Sequence, residues 1–186
     1  MQSNLEDNLY FIAIIPENKV SNDISKEKES FSDAYHSKYG LKTMPHITII
    51  PPFKCSHLII EQVIKRLSNI NYKNSSFDIH LKDYKHFNES VIFIDVIRNN
   101  IIDELVQQLK DSLKNLITIS SGRYHPHITI AFRDVSQSIF KKAWKKYRNK
   151  KYTASFPVNS IYLLKHIDQR WQILEKFDLG KHKTIT

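Results

Sequence analysis

Cysteine occurs once in the 186 residues, at Cys55, so the chain can form no internal disulfide and no cysteine pair can build a metal knuckle. That thiol reads as a reduced, partly buried group in a cytoplasmic protein rather than as a nucleophile. Three glycines and six prolines leave no stretch for a low-complexity linker. The apolar run from Leu9 to Ile15 is far too short to cross a membrane, which takes ~20 residues. Glu6 and Asp7 stand where a secretory leader would be basic. A cytoplasmic protein with no membrane partner is therefore expected. No His–Cys or carboxylate cluster has metal-ligand spacing, and no paired-carboxylate acid–base site is indicated. The expectation is no metal and no cofactor.

The apolar share, 41%, is that of a globular chain, and 186 residues can bury a core without staples. The net charge of +9 attracts polyanions without identifying them. Part of it lies between Lys141 and Lys151. There Phe140, Ala143, Trp144 and Tyr147 form an apolar stripe, so that segment reads first as a helix with a solvated basic face.

Hydrophobic periodicity divides the chain into elements. Leu9–Ile15 reads as a buried strand closed by Pro16. A helix is predicted from about 24 to 39, with Asp23 as cap and Gly40 as stop. A strand follows at His46–Ile50, ended by Pro51-Pro52. Ser56 caps a helix with the stripe Ile59, Val63, Leu67 and Ile70. Residues 77–81 and 91–97 form a hairpin. The second half repeats that order: a helix after Asn100, a strand at His127–Phe132, a helix capped by Ser136, and a hairpin of 156–164 with 171–177. His46 and His127 lie 81 residues apart, and the same offset carries Ser56 to Gln137 and Phe77 to Val158. One domain over 1–186 is expected, with pseudo-repeat lobes at about 20–98 and 99–180 and the 9–15 strand completing one sheet. The class is α+β: bilobal, two pseudo-symmetric antiparallel sheets with outer helices around a central cleft.

The repeat contains one pentapeptide twice, Pro45-His46-Ile47-Thr48-Ile49 and Pro126-His127-Ile128-Thr129-Ile130. On a strand, His and Thr share one face while the isoleucines point into the core. A packing repeat explains the isoleucines. It gives no reason to keep proline, histidine and threonine as well. Two such strands about a pseudo-twofold bring two imidazoles and two hydroxyls to one cleft. Imidazole titrates near neutrality, so one ring can take a proton while its mate gives one. The threonine hydroxyls can donate to the oxygens of a phosphate.

These two His-x-Thr-x motifs resemble those of the two-histidine (2H) phosphoesterase superfamily, in its 2′-5′ RNA ligase-like or RNA 2′,3′-cyclic phosphodiesterase branch. The resemblance spans nearly the whole chain. It implies a bilobal α+β fold about a groove. It also implies His46 and His127 as acid and base, and Thr48 and Thr129 as phosphate holders. The expected partners are RNA ends or nucleotides carrying a cyclic phosphate or a 2′-5′ linkage, turned over by a monomer without metal. Run backwards on RNA ends, the same chemistry joins a 2′-5′ bond. The alternative is an RNA- or nucleotide-binding module of the same fold without turnover.

Further candidates flank the motifs. Arg133 follows His127 by six, on the catalytic face if the strand continues, where it could meet a phosphate. Phe53 and Tyr124 could stack a base at the rim. Of Tyr10 and Phe11 only one can face the cleft. His125, cut off from His127 by Pro126, reads as a loop histidine, with a supporting role beside the motif as the alternative. His36, His57, His80, His86, His166 and His182 have no partner in the repeat and are read as solvent-facing.

Overall fold

The computed structural model of the protein describes residues 7–70, 72, 75–120 and 122–180. His182 lies outside the described residues. Among the described residues, eight strands and four helices follow the order β1 (Asn8–Ile14), α1 (Asn18–Tyr35), β2 (Ile47–Cys55), α2 (His57–Ser68), β3 (Phe77–Phe87), β4 (Val91–Val96), α3 (Asn100–Leu113), β5 (His127–Ala131), α4 (Gln137–Tyr147), β6 (Thr153–Val158), β7 (Ser160–Ile167) and β8 (Arg170–Asp178), with a 3-10 turn at Tyr39–Lys42. The α+β class and the antiparallel pairing stand as expected.

The strand order is β6-β3-β4-β5-β2-β1-β7-β8. The two half-sheets meet through the pair Ile47↔Ile128 of β2 and β5, so they form one curled eight-stranded sheet rather than two separate ones. Each half-sheet draws on both sequence halves. The β3–β4 hairpin pairs with β5 and β6, while β7 and β8 join β1 and β2. β1 lies beside β2 as β4 lies beside β5. The structural repeat runs strand, helix, motif strand, helix, strand, with the last strands exchanged between halves.

Isoleucine packs the junction. Ile47, Ile49, Ile50 and Ile128 are wholly buried, and Ile130 nearly so, in one core that also receives the apolar faces of the helices. The helix ends follow local chemistry. The Asn99 side chain accepts from the Ile102 amide at 2.9 Å, and the Ser136 hydroxyl accepts from the Ile139 amide at 3.3 Å. α1 begins at Asn18, well before Asp23, and ends where His36 turns left-handed at φ 56°. Gly40 therefore does not stop it. Gly40 serves a close approach instead, since a Cβ there would lie 2.3 Å from the Ile130 carbonyl oxygen of β5.

Two further expectations are corrected. β2 continues through Pro51-Pro52 to Cys55. The prolines fall where the β1 register slips between Ile12↔Ile50 and Tyr10↔Phe53, and β2 pairs with β5 only at Ile47. At such a position the missing amide costs no ladder bond. The segment 156–164 is two strands rather than one. Its first part pairs with β3, its second with β1, and the chain changes neighbours at Asn159.

Candidate active site

β2 and β5 run side by side only at their motif ends. The antiparallel pair Ile47↔Ile128 sets His46 opposite Thr129 and Thr48 opposite His127. The pleat sends these four side chains away from the buried isoleucines, and all four are half-buried while Ile47 and Ile128 are sealed. The cleft has two arms. A cavity of about 380 Å³ is lined by His46, Thr48, Thr129, Arg133 and Trp171, among others. A second, of about 240 Å³, is lined by His127, Tyr124, Arg123 and Phe87, and again by Thr48. Thr48 thus stands on the divide, with one imidazole in each arm.

Each imidazole is held in the same way. The ring Nδ1 of His46 donates to the Met44 carbonyl at 2.8 Å, and that of His127 donates to the His125 carbonyl at 2.7 Å. A carbonyl can only accept, so Nδ1 carries hydrogen in both rings and the neutral form leaves Nε2 as a bare acceptor. Each ring is also braced by a phenylalanine from the neighbouring strand, Phe11 against His46 and Phe93 against His127, both with centroids 4.9 Å apart. Of the pair Tyr10 and Phe11 it is Phe11 that reaches the histidine, while Tyr10 packs in the main core. The proline before each histidine is buried.

Burial pushes the His46 ring down to about 4, against the lift from its bond to Met44, and the Lys28 charge and His127 press the same way. Burial also lowers His127, against the lift from its bond to the His125 carbonyl; the His125 ring presses further down and the Asp95 carboxylate acts upward. Near neutral pH both rings of the free protein are therefore unprotonated bases. A negative charge brought beside either ring would favour its protonated form.

Arg133 reaches the cleft by a route other than strand continuation. β5 stops at Ala131, and Arg133 sits in a turn at φ 66°. Its guanidinium donates to the Tyr39 hydroxyl and lies 4.7 Å from the Tyr39 ring centroid. Asp134 fastens this wall, accepting from the Ser37 hydroxyl at 2.6 Å and from the Lys38 and Tyr39 amides at 2.7 and 2.8 Å. Lys28, almost fully buried, ties down the same segment by donating to the carbonyls of Gly40 and Thr43. Phe53 is no rim residue. It is buried and packs against Tyr10, because its odd place on β2 puts it with the isoleucines. Tyr124 lines the His127 arm, although its hydroxyl is buried and its ionisation is pushed up by burial and by Asp103.

His36, His57, His80 and His86 are exposed, as expected. His166 is exposed but not idle, for it lines the His46 arm against Trp171, with centroids 5.0 Å apart. Trp171 in turn meets Phe11 edge-on at 4.5 Å. Sequence reading misses His166 and Trp171, because they arrive through the β7–β8 hairpin, far from either motif. Tyr39 and Phe132 are missed likewise. Among the described residues, no three His, Cys, Asp or Glu side chains come together in a way that could hold a metal ion.

The profile of the 2′-5′ RNA ligase superfamily matches residues 16–170. The chain belongs to that superfamily. Curated relatives include a candidate phosphoesterase of Bacillus cytotoxicus, 25% identical over 150 residues, covering 79% of this chain and 85% of that one. A namesake from Bacillus mycoides is 24% identical over the same length and shares. Among solved structures, E. coli LigT complexed with 3′-AMP superposes with a TM-score of 0.69 at 17% identity, over 95% of this chain and all of LigT. The protein TT0787 of Thermus thermophilus gives 0.63 at 16%, over 94% and 99%. These likenesses show a common fold for this member of the superfamily.

Proposed function

We propose that this superfamily member is a phosphodiesterase that opens 2′,3′-cyclic phosphates on RNA ends or nucleotides by paired-histidine acid–base catalysis without a metal. The observation that carries this reading is the matched tethering of the two rings. Both imidazoles present the same nitrogen, Nε2, on strands joined at Ile47↔Ile128. One Nε2 takes the proton of an attacking water. The other, once protonated, gives a proton to the departing ribose oxygen. Thr48 and Thr129 donate to the non-bridging oxygens, where charge grows in the transition state. Arg133, on the wall of the larger arm, is placed to meet a phosphate or a nucleotide edge.

E. coli LigT has been crystallised in complex with 3′-AMP, ATP, phosphate and NADP+, which accords with a nucleotide in this cleft. When the 5′ hydroxyl of an RNA end replaces water, its attack on the same cyclic phosphate would form the 5′ O–P bond of a 2′-5′ linkage and break the P–O3′ bond, with the 3′ oxygen taking the donated proton. The test is a panel of 2′,3′-cyclic and 2′-5′-linked nucleotides assayed with and without chelator, with product position assigned by phosphorus NMR. Chelator-insensitive opening of the cyclic phosphates is expected. Binding of the whole panel without turnover would leave only the binding-module alternative.

A further inference from the structure

The two histidines differ in what stands behind them. Asp95 of β4 is the register partner of His127, on the same face of the sheet. Its Oδ1 lies 2.9 Å from Nε2 of His125, and its Oδ2 lies 2.7 Å from Lys85 Nζ. His125 supplies the carbonyl that accepts from His127 Nδ1. A carboxylate with 13% side-chain exposure therefore holds, through one residue, the backbone group that orients His127. The setting of His46 is different. Its acceptor belongs to Met44, and the β1 residues facing the motif there are Ala13 and Ile14, paired with Thr48 and Ile47. The charge near His46 is the ammonium of Lys28, fixed between the carbonyls of Gly40 and Thr43.

We infer that Asp95 and His125 are positioning residues that commit His127 to the role of proton donor and leave His46 as the base. This assignment rests on the phosphodiesterase reading above. Protonated His127 is stabilised from behind by a carboxylate, and protonated His46 is opposed by a cation. Lys85 offsets part of the Asp95 charge, and a protonated His125 would oppose the charge on His127, so the carboxylate acts by holding His125 in place as well as by its field. The cations Lys110 and Arg123 line the His127 arm, and Lys42 and Arg133 line the His46 arm, so both rings face positive charge in front. The difference comes from behind them. The forward step balances simply. Water forms the new P–O bond and its proton passes to His46 Nε2. The bond from phosphorus to one ribose oxygen breaks, and that oxygen takes the proton from His127 Nε2. Exchange with solvent then returns both rings to their starting states.

The test replaces the departing ribose oxygen, once product analysis has named it, by sulfur, which leaves without needing a proton. On the oxygen substrate, His46→Ala and His127→Ala should each lose ~100-fold or more in kcat. On the sulfur substrate, His127→Ala should regain at least ~10-fold of its loss while His46→Ala regains none. Asp95→Asn should move the alkaline limb of the kcat/KM profile to lower pH and leave the acid limb in place. Recovery of His46→Ala instead of His127→Ala would reverse the assignment while sparing the phosphodiesterase reading. An alkaline limb unmoved in folded Asp95→Asn would remove Asp95 from its role. Failure of the unaltered protein to open the cyclic phosphate would overturn both.

Discussion

At the scale of single residues, the site depends on which ring nitrogen is free. Nδ1 of each histidine is spent on a carbonyl two residues back, so only Nε2 remains for chemistry. Replacing His46 or His127 by glutamine keeps a donor but no titratable base. Each variant is expected to lose activity by ~100- to 10,000-fold while circular dichroism stays unchanged. Thr48→Val and Thr129→Val remove a donor and keep the shape. Each should lower kcat by ~100-fold with a smaller change in KM, measured by steady-state kinetics on a 2′,3′-cyclic nucleotide. The His-Ile-Thr motifs were legible because a strand's period of two sorts each residue to a face without help from the rest of the fold. Phe53 is not legible in the same way, because the double proline masks the continuation of β2 to Cys55, and only on that continued strand does its odd position put it on the isoleucine face.

At the scale of elements, the walls of the cleft depend on loops that no local pattern announces. The segment Ser37–Tyr39 is fastened by Asp134, from the turn after β5, across nearly a hundred residues of chain. Asp134→Ala releases the hydroxyl and both amides, so Tyr39 and Arg133 should lose their mutual placement. A rise in KM of several-fold with little change in kcat is expected, together with a lower melting temperature. Gly40 is tighter still. A methyl group there collides with the Ile130 carbonyl of the very strand that carries His127. Gly40→Ala is expected to cost ~1–3 kcal/mol in a urea titration, as overpacked sites do. The helices and most strands are legible from periodicity and caps, as Ser136 shows, although α3 begins at Asn100 itself and its cap is Asn99. The exchange of β3–β4 and β7 between half-sheets was not, because nothing within a strand names its partner.

At the scale of the whole molecule, the curled sheet partly buries two neutral imidazoles at its centre, and that choice ties stability to pH. The His46 ring sits near 4 in the folded chain against 6.5 when exposed. Between those values the unfolded chain binds the extra proton. Stability from this group is therefore complete above pH 6.5 and falls as the pH drops through 6.5 toward about 4. The urea midpoint should decline over that window, and His46→Gln should decline less steeply. A net charge of +9 acts over a longer range. RNA ends should bind more weakly as salt rises, with a linear fall of log affinity against log salt concentration.

The most direct measurement of the central claim is a crystal structure with a nucleoside monophosphate bound in the cleft. Nε2 of His46 and Nε2 of His127 should both lie within hydrogen-bond reach, ~2.6–3.2 Å, of oxygens on the same phosphorus, with the Thr48 and Thr129 hydroxyls on the remaining ones. A phosphate seated in one arm and touched by a single imidazole would contradict it.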